Sequence, residues 1–449
     1  MAEIAPLTPL RYDLSKLADG LASVVAPPYD VISREQRAAL AAQHRHNVVR
    51  LILPDGEGDA KYGVAADILK SWRAEGVLAR DEEPAFYRYD QAFVPPGAPA
   101  GSPSIRRRGF LALVRLAPFS ERIVLPHERT LSGPKEDRLK LFRATRTNLS
   151  PGFMLYRDAK GELGSALDTA QALAEFTTAD GVHHALAKVR SPEAIRAIVA
   201  GVARSTLLIA DGHHRYETAV RYSQEAGAAA GAGVATERGE HRYFMSFLAN
   251  GDDPNLVVFP THRLVHSLAS FSLDDLLRRA AATFDAIELP RGAAAEVLLD
   301  RLRTAAGAEK RPSVVCAVPD GRSAVLTLKA DARLDAHPTL GPKPEVLRRT
   351  DVTVLHAGIF EAILGITPEA QVAKTNLWYV QDGAESLAEL RAGVRGQALF
   401  LMNPTPVAAV RDVAEAGEVM PQKSTFFYPK VLTGLAIHTL DPSRPVHAI

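Results

Sequence analysis

The pattern of apolar and polar positions along the chain predicts a mixture of strands and helices. Residues 84–94 and 106–116 are rich in β-branched and aromatic residues and predict two antiparallel strands joined by the loop "PPGAPAGSPS". Residues 47–53, "NVVRLIL", predict a further strand. The spacing of apolar residues predicts helices over residues 33–43 and 60–75.

The rest of the chain continues this mixture. Residues 242–250 and 256–265 predict another antiparallel pair, and residues 273–308 predict helix. The last third predicts strands over residues 312–318, 324–330, 398–407 and 425–440, with helices near residues 351–364, 386–396 and 407–417. The predicted fold class is therefore α+β, or mixed α/β, with a domain boundary near residue 270.

One stretch, residues 207–227, combines a buried strand, a turn and a helix. Its sequence, "LLIADGHHRYETAVRYSQEAG", changes from apolar to polar within one residue and then takes a helical period. Asp211 and Gly212 fall at the turn, where glycine permits a positive φ or the close approach of another group. The period predicts a packed face of Tyr216, Ala219, Val220 and Ser223, and a polar face of His214, Glu217, Thr218 and Arg221.

The start of that helix is suited to an anion. A helix N-terminus presents N–H groups and about half a unit of positive charge to whatever lies in front of it. His213, His214 and Arg215 add further donors at that end, and the arginine fork matches the geometry of phosphate. Together with Gly212, these three residues are the candidate ligands of a phosphate or nucleotide.

Other interpretations of the same residues stay open. Asp211 serves equally well as an N-cap, and Arg215 and Glu217 as solvated surface charges. A metal site is a further alternative, because His214 and Glu217 are three residues apart on one face of the helix. The sequence has no HExxH motif and only one cysteine, so no zinc is expected.

Three smaller groups of polar residues lie elsewhere along the chain. In "VVAPPYDVI", Tyr29 and Asp30 follow two prolines, so a phenol and a carboxylate emerge from a stiff, extended backbone, although an ordinary turn gives the same pattern. Two short segments add further candidates near strands: Thr261, His262 and Arg263 in "FPTHRLVH", and Lys423 and Lys430 in "QKSTFFYPKVLTG".

Residues 125–151 carry the largest group of polar side chains. His127 and Glu128 precede a predicted helix whose start is marked by glycine and proline. That helix carries a run of cations, among them Lys135, Arg138 and Lys140, which predicts a local positive surface. A solvated helix explains the same run.

Composition excludes several classes of protein. At 449 residues the chain is long enough for two or three domains. Its 53 Lys plus Arg against 52 Asp plus Glu give a net charge of +1, so no global field attracts nucleic acid or anionic lipid. No apolar stretch reaches the roughly 20 residues that span a bilayer, no secretory pattern is present, and the single Cys316 rules out an internal disulfide. These features predict a cytoplasmic protein without membrane or nucleic-acid partners.

Five motifs occur in order along nearly the whole chain: "APPYDVI", "HERT…PKEDRLKLFRATRTNLSP", "IADGHHRYETA", "PTHRLV" and "FFYPK…TG". Together they resemble the bacterial and archaeal domain-of-unknown-function family numbered 1015. The Asp-Gly-His-His-Arg turn is similar to the phosphate-binding turns of the ParB/sulfiredoxin superfamily, which includes a free-serine kinase. The resemblance implies a ParB/sulfiredoxin-like phosphate-binding and catalytic core in residues 1–270. It does not explain residues 271–449, whose pattern predicts an additional α/β domain.

The function expected from these observations is that of a phosphotransferase acting on a small hydroxylated metabolite. No Walker A loop, GxGxxG fingerprint or protein-kinase catalytic loop is present, so the nucleotide, ATP or ADP with Mg²⁺, would be held by the Asp-Gly-His-His-Arg turn. The resemblance makes serine or phosphoserine the preferred substrate. The alternatives are a nucleotide-binding regulatory switch, as in ParB, and a metal-dependent small-molecule phosphatase.

Each group of candidate residues has an expected role. Phosphoryl transfer depends mainly on positioning and charge stabilisation, which suits the local supply of cations. The candidates to neutralise the transferred group are Lys135, Arg138 and Lys140, and the candidates for catalysis are Asp30, His127, Glu128 and Asp211. Further candidates are Tyr29, Glu217, Thr261, His262, Arg263, Lys423 and Lys430.

Overall fold

The computed structural model describes residues 1–98, 101–129, 132–230, 234, 236–307 and 309–447, with only the backbone described for residues 132–134. The chain divides into two compact units. Unit 1 comprises Met1–Pro126, Thr130–Val257 and Pro429–Ile449, and unit 2 comprises His127–Arg129 and Val258–Tyr428. The assignment of separate roles to residues 1–270 and 271–449 stays a prediction.

The elements of the first 250 residues are mixed strands and helices. They are β1 (Ile4–Ala5), β2 (Leu10–Tyr12), α1 (Arg34–Gln43), α2 (Val49–Ile52), α3 (Ala60–Ala74), β3 (Leu78–Arg80), β4 (Phe86–Phe93), β5 (Ile105–Arg115), β6 (Val124–Leu125), α4 (Ser132–Thr145), β7 (Thr147–Asn148), β8 (Gly152–Tyr156), α5 (Gly164–Asp168), β9 (Gln171–Thr177), β10 (His183–Val189), α6 (Pro192–Ala203), β11 (Leu207–Asp211), α7 (His213–Ala230) and β12 (Tyr243–Asn250).

The chain from residue 257 onward also consists of mixed strands and helices. They are β13 (Val257–Phe259), β14 (His262–Val265), α8 (Leu273–Ala280), β15 (Phe284–Glu288), α9 (Ala295–Ala305), β16 (Ser313–Ala317), β17 (Ser323–Leu328), α10 (Glu345–Arg348), α11 (Asp351–Thr353), a π-helix (Val354–Glu361), α12 (Pro368–Ala373), β18 (Leu377–Val380), α13 (Gly383–Arg391), β19 (Ala398–Met402), α14 (Val407–Glu415), β20 (Phe426–Tyr428) and β21 (His438–Thr439).

Unit 1 is built on a sheet to which nine strands of the described residues contribute, in the order β6-β11-β8-β12-β5-β4-β10-β9, with β1 paired to β5. The pairs β11–β6 and β12–β8 are parallel, and the other neighbours are antiparallel. Close packing at the centre of this sheet requires a glycine, because a Cβ on Gly109 would lie 2.3 Å from the Phe247 ring and 2.5 Å from the Leu248 carbonyl. Strand β11 lies between β6 and β8, and its end leads into α7.

Unit 2 is built on a second sheet, in which the strand order is β15-β17-β16-β19-β14-β18. Every neighbouring pair in it is antiparallel. The faces of β16 and β19 are fully buried under helices such as α9 and α13, which explains their continuous apolar sequences. Cys316 lies in β16 and burial raises the pKa of its thiol, consistent with a packing role.

Local sequence signals place several helix ends. The Ser33 side chain accepts from the Gln36 N–H, and the Gln36 side chain returns a bond to the Ser33 N–H, which forms a capping box at the start of α1. At α6, Ser191 accepts from the Ala194 N–H and Pro192 occupies the first helical position. These caps satisfy N–H groups that have no acceptor within the helix.

The structure confirms the mixed α/β class and corrects four of the predicted elements. Residues 425–440 contain two short strands, β20 and β21, in place of one continuous strand. Residues 47–53 form helix α2 instead of a strand, and it packs against α3 with Leu51 and Ile52 buried. The strands within residues 242–250 and 256–265 do not pair with each other, because β12 is held between β5 and β8. Residues 273–308 contain β15 between helices α8 and α9. Each correction reflects tertiary packing that overrides a local pattern.

Within the described ranges, no helix has the length and apolar character needed to cross a membrane.

Candidate functional site

The strand, turn and helix predicted for residues 207–227 are present in unit 1. Leu207–Asp211 form β11, and His213 begins α7, which has 18 residues. Gly212 lies between them with a φ of 96°, and its carbonyl accepts the first helical hydrogen bond, from the Tyr216 N–H at 2.9 Å. Only glycine adopts that φ without strain, so the position of Gly212 explains the abrupt change from strand to helix.

The carboxylate of Asp211 is the centre of an ion-pair network at this turn. Its Oδ1 accepts from Arg215 Nη2 at 3.2 Å, and its Oδ2 accepts from Lys430 Nζ at 2.8 Å. Arg215 Nη1 also donates to the Pro151 carbonyl. The structure therefore brings together Asp211 and Lys430, which are 219 residues apart in the sequence.

Arg215 is more buried than the sequence predicts. The alternative that Arg215 is a solvated surface charge is wrong, because only 5% of this residue is exposed. Thr218, predicted to be on the polar face of α7, is buried and donates to the His214 carbonyl at 2.6 Å. The cause is α4, which packs along α7 and covers part of the face that a helical wheel predicts to be exposed.

Arg107 is a second buried arginine, close enough to Asp211 to experience its charge, and no pattern in the sequence indicates it. Its side chain is 1% exposed, and its Nη2 donates to Gln91 Oε1 and to the Pro429 carbonyl. Its Nε and Nη1 are buried and donate to no described acceptor. Burial lowers the pKa of Arg107 to about 10, while the charge of Asp211 acts in the opposite direction. Arg107 lies in the sequence "RRRG", which predicts the polar start of a strand and gives no indication of a buried arginine.

A third arginine, Arg138 on α4, lies beside Tyr29. Its guanidinium carbon is 4.1 Å from the centre of the Tyr29 ring, and its Nη1 donates to the Ile52 carbonyl at 2.8 Å. Tyr29, Arg138 and Arg215 line one cavity of about 20 Å³, which is the size of one water molecule. Burial raises the pKa of Tyr29, and the charge of the exposed Asp30 raises it further, which places Asp30 near this cavity.

The cations of α4 form ion pairs, which corrects the predicted positive surface. Arg138 pairs with Asp137. The charge of Arg138, together with hydrogen bonds from Lys61 and Tyr62, keeps the pKa of the Asp137 carboxyl well below its usual range. The remaining pairs on this helix are Lys135 with Glu217 at 3.1 Å, Lys140 with Asp59 at 2.8 Å and Arg143 with Glu225 at 2.9 Å. Acids of α4 and α7, and the residue that precedes α3, therefore compensate much of the charge of this run.

A cleft of about 490 Å³ runs along α4 and α7 beside the first turns of α7. Its floor includes Phe119, which stacks on Tyr216 with ring centres 5.5 Å apart. The ion pair of Lys135 and Glu217 lies on its wall, together with Arg221. Its volume is typical of a site for a small organic molecule.

The other predicted catalytic residues, His127 and Glu128, belong to unit 2. His127 is buried, with its Nε2 2.8 Å from Thr425 Oγ1. Glu128 Oε1 accepts from the backbone N–H groups of Ser424 and Thr425, at 2.9 and 3.2 Å. Their role in catalysis stays a prediction.

The candidates near β14 are buried in unit 2. Burial lowers the pKa of His262 to about 4, and its Nδ1 accepts from the Met402 N–H at 3.1 Å. Thr261 Oγ1 accepts from Gln381 Nε2 at 3.1 Å. The Arg263 guanidinium is fully buried and donates to backbone carbonyls, including that of Lys423 at 3.1 Å. These contacts are of the kind that fix a protein core.

A metal site is not evident in the described part of the chain. No group of three or more His, Cys, Asp or Glu side chains there is arranged to hold a metal ion. Mg²⁺ commonly binds through one or two carboxylates and the phosphates of a substrate, so a protein-only cluster is not required for it.

Comparison with solved structures gives remote likenesses. A conserved hypothetical protein from Pyrococcus furiosus is 15% identical, with 68% of this chain and 86% of that chain covered and a TM-score of 0.32. A free serine kinase in complex with AMP is 13% identical, with 71% and 88% covered and a TM-score of 0.35. SbnI with a C-terminal truncation, from Staphylococcus aureus, is 10% identical, with 72% and 85% covered and a TM-score of 0.32. TM-scores this low support no conclusion about fold or activity.

Comparison by sequence is more informative about the family. A search of curated proteins found no significant match. Residues 4–353 match the model of a family described as a protein of unknown function, DUF1015. Because the match covers well over half of the sequence, the chain belongs to the DUF1015 family.

Proposed function

We propose that this protein is a phosphotransferase that binds a nucleotide phosphate at the N-terminus of α7 and acts on a small hydroxylated metabolite. Serine or phosphoserine is the preferred substrate because the Asp-Gly-His-His-Arg turn resembles the phosphate-binding turns of the ParB/sulfiredoxin superfamily. On this proposal the N-terminal part of the chain is a core of that type. ATP or ADP would be the nucleotide, and any Mg²⁺ would bind through its phosphates.

One observation carries the proposal: a buried guanidinium and an ammonium group pair with Asp211 at a helix N-terminus, and a second buried guanidinium lies within the field of this carboxylate. Arg215 and Lys430 bind its carboxylate directly, and Arg107 lies within its field with two buried donor atoms that contact no described acceptor. Buried cations are costly unless they are paired, and a bound phosphate would provide the compensating charge. The helix N-terminus acts in the same direction.

The remaining groups have roles in the proposal that follow from their positions. Lys135 and Arg138 lie on α4, beside the first turns of α7, and would stabilise charge on the transferred group. The cavity of Tyr29, Arg138 and Arg215 is too small for phosphate, so we assign it to positioning these side chains. Asp30 is our first candidate for the base that accepts the substrate hydroxyl proton, because it is exposed beside this cavity. Lys140, paired with Asp59, and Glu128 stay candidates from the sequence alone.

Two other functions would use the same anion site. A nucleotide-binding switch would bind nucleotide without needing a small co-substrate, and a phosphatase would release phosphate without any nucleotide. The transferase is favoured because the cleft beside α7 offers space for a small organic molecule in addition to the phosphate-binding turn.

Phosphorus NMR separates these functions in one experiment. Purified protein is incubated with Mg²⁺, ATP or ADP, and a pool of hydroxylated and phosphorylated metabolites. We expect new phosphomonoester signals that require both nucleotide and acceptor. Lys430→Met should reduce the rate at least about tenfold through loss of one charge-assisted contact, whereas Lys160→Met, at an exposed surface lysine, should not change it. Release of inorganic phosphate without nucleotide would identify a phosphatase, and binding without turnover would identify a switch.

A further inference from the structure

Unit 2 contains a cavity of about 100 Å³ that none of the residues proposed for phosphoryl transfer lines. One wall is the π-helix Val354–Glu361, which contributes both His356 and Glu361. In an α-helix, residues five apart point about 140° away from each other, at about 100° per residue. The π-helical register is what allows both to line one cavity, and π-helical segments occur frequently at functional sites.

A hydrogen-bond network centred on His356 and Gln371 lies on one side of this cavity. His356 Nδ1 is 2.6 Å from Gln371 Oε1, and Arg263 Nε donates to His356 Nε2 at 3.1 Å. Burial lowers the pKa of His356 to about 3, so the ring is neutral and its Nδ1 carries the proton. Gln371 Nε2 donates to the Ile366 carbonyl at 2.9 Å. The network therefore holds the π-helix and α12 in place around the cavity.

Three charged side chains line the same cavity: Arg129, Lys343 and Glu361. Burial raises the pKa of Glu361, while the charge of Lys343, a hydrogen bond with Gln371 and the charge of Arg129 act in the opposite direction. Among the described residues, however, none of the three is in an ion pair with another side chain, unlike the cations of α4. Opposite charges that share a partly buried cavity without touching are stabilised by a ligand that contacts both.

We propose that this cavity binds a small zwitterion, with its carboxylate at Lys343 and Arg129 and its ammonium group at Glu361. A simple anion would be repelled by Glu361, and a simple cation by Lys343 and Arg129. A ligand with both charges a few atoms apart satisfies all three groups. Its apolar part would lie against the side chains of Leu347 and Val372, which also line the cavity. The site stands independently of the proposed phosphotransferase activity.

Calorimetric titration of the full chain tests this site with a panel of defined probes. The zwitterions are glycine and β-alanine, and the single-charge controls are acetate and methylammonium. We expect a zwitterion to bind at least about tenfold more tightly than either control, as expected for the loss of one charge-assisted contact. The proposal is overturned when acetate binds as tightly as the zwitterions, or when no zwitterion of the panel binds at millimolar concentration.

Two variants locate the binding. Glu361→Gln keeps the side-chain volume and should remove the preference for the zwitterion over acetate. Lys343→Gln should weaken zwitterion and acetate together by about tenfold. Glu369→Gln is the matched control, because Glu369 is an exposed acid of α12 that acts on Glu361 but does not line the cavity. Zwitterion binding that is unchanged in both Glu361→Gln and Lys343→Gln would place the ligand elsewhere and contradict the proposal. Thermal melts of each variant verify that it is folded.

Discussion

Replacing Gly212 with alanine is expected to reduce nucleotide binding at least about tenfold and to lower the free energy of unfolding by about 1–3 kcal/mol. Two effects combine at this position. The φ of 96° is strained for any residue with a Cβ. The added Cβ would also lie 3.1 Å from Cζ, Nε and Nη2 of Arg215, so the guanidinium would have to move from its contact with Asp211. Titration calorimetry with ADP and urea unfolding measure the two effects separately.

Gly161→Ala is the matched control for this substitution. Gly161 also has a positive φ, of 66°, but a Cβ there meets nothing within 4 Å. It should therefore show the backbone strain alone, with unchanged ADP binding. If the Gly212→Ala variant binds ADP as tightly as the parent, the turn at Gly212 is not part of the nucleotide site.

Replacing Arg215 with alanine is expected to destabilise the fold as well as the complex. Arg215 and Asp211 form an ion pair with side chains only 6% and 16% exposed, and breaking a buried pair costs about 3–5 kcal/mol. In this variant Lys430 still pairs with Asp211, so we expect a loss of stability near the lower end of that range. A solvated arginine, the alternative that the sequence left open, would instead change the free energy of unfolding little. Urea unfolding of the variant distinguishes these two expectations.

Arg221→Ala provides the comparison on the same helix. Arg221 is 56% exposed and pairs with Glu225 four residues away, a geometry that contributes less than about 1 kcal/mol. The urea midpoints of the two variants are compared with that of the parent. If Arg215→Ala lowers the midpoint no more than Arg221→Ala does, the ion pair of Arg215 with Asp211 contributes little to stability. ADP titration under conditions where both variants are folded then compares their effects on the ligand.

The sequence was sufficient to predict the features that depend on local patterns. The change from apolar residues to helical period located β11, Gly212 and α7, and the aromatic, β-branched runs located β4 and β5. These segments are long and strongly patterned, so neighbours in space do not alter their type.

The sequence could not predict features that depend on distant residues. Lys430 contacts Asp211 from the C-terminal segment, and Arg107, near the start of β5, lies within the field of the same carboxylate. Neither interaction leaves a local signal, because "RRRG" is typical of a polar strand end and Lys430 is one of two lysines beside an aromatic run. The burial of Arg215 was hidden for the same reason, since it depends on how α4 covers α7. The π-helix was also missed, because residues 351–364 have an apolar pattern that an ordinary helix satisfies.

The central claim is that the first turn of α7 binds phosphate, and amide chemical shifts test it most directly. ADP, and separately inorganic pyrophosphate, would be titrated into ¹⁵N-labelled protein while the backbone amide signals are followed. The account predicts saturable shifts that are largest at Gly212, His213 and His214, with smaller shifts in Arg215 and none at the start of α6, whose N-terminus is capped by Ser191. Saturable shifts elsewhere in the chain, with the amides of residues 212–214 unchanged, would contradict it.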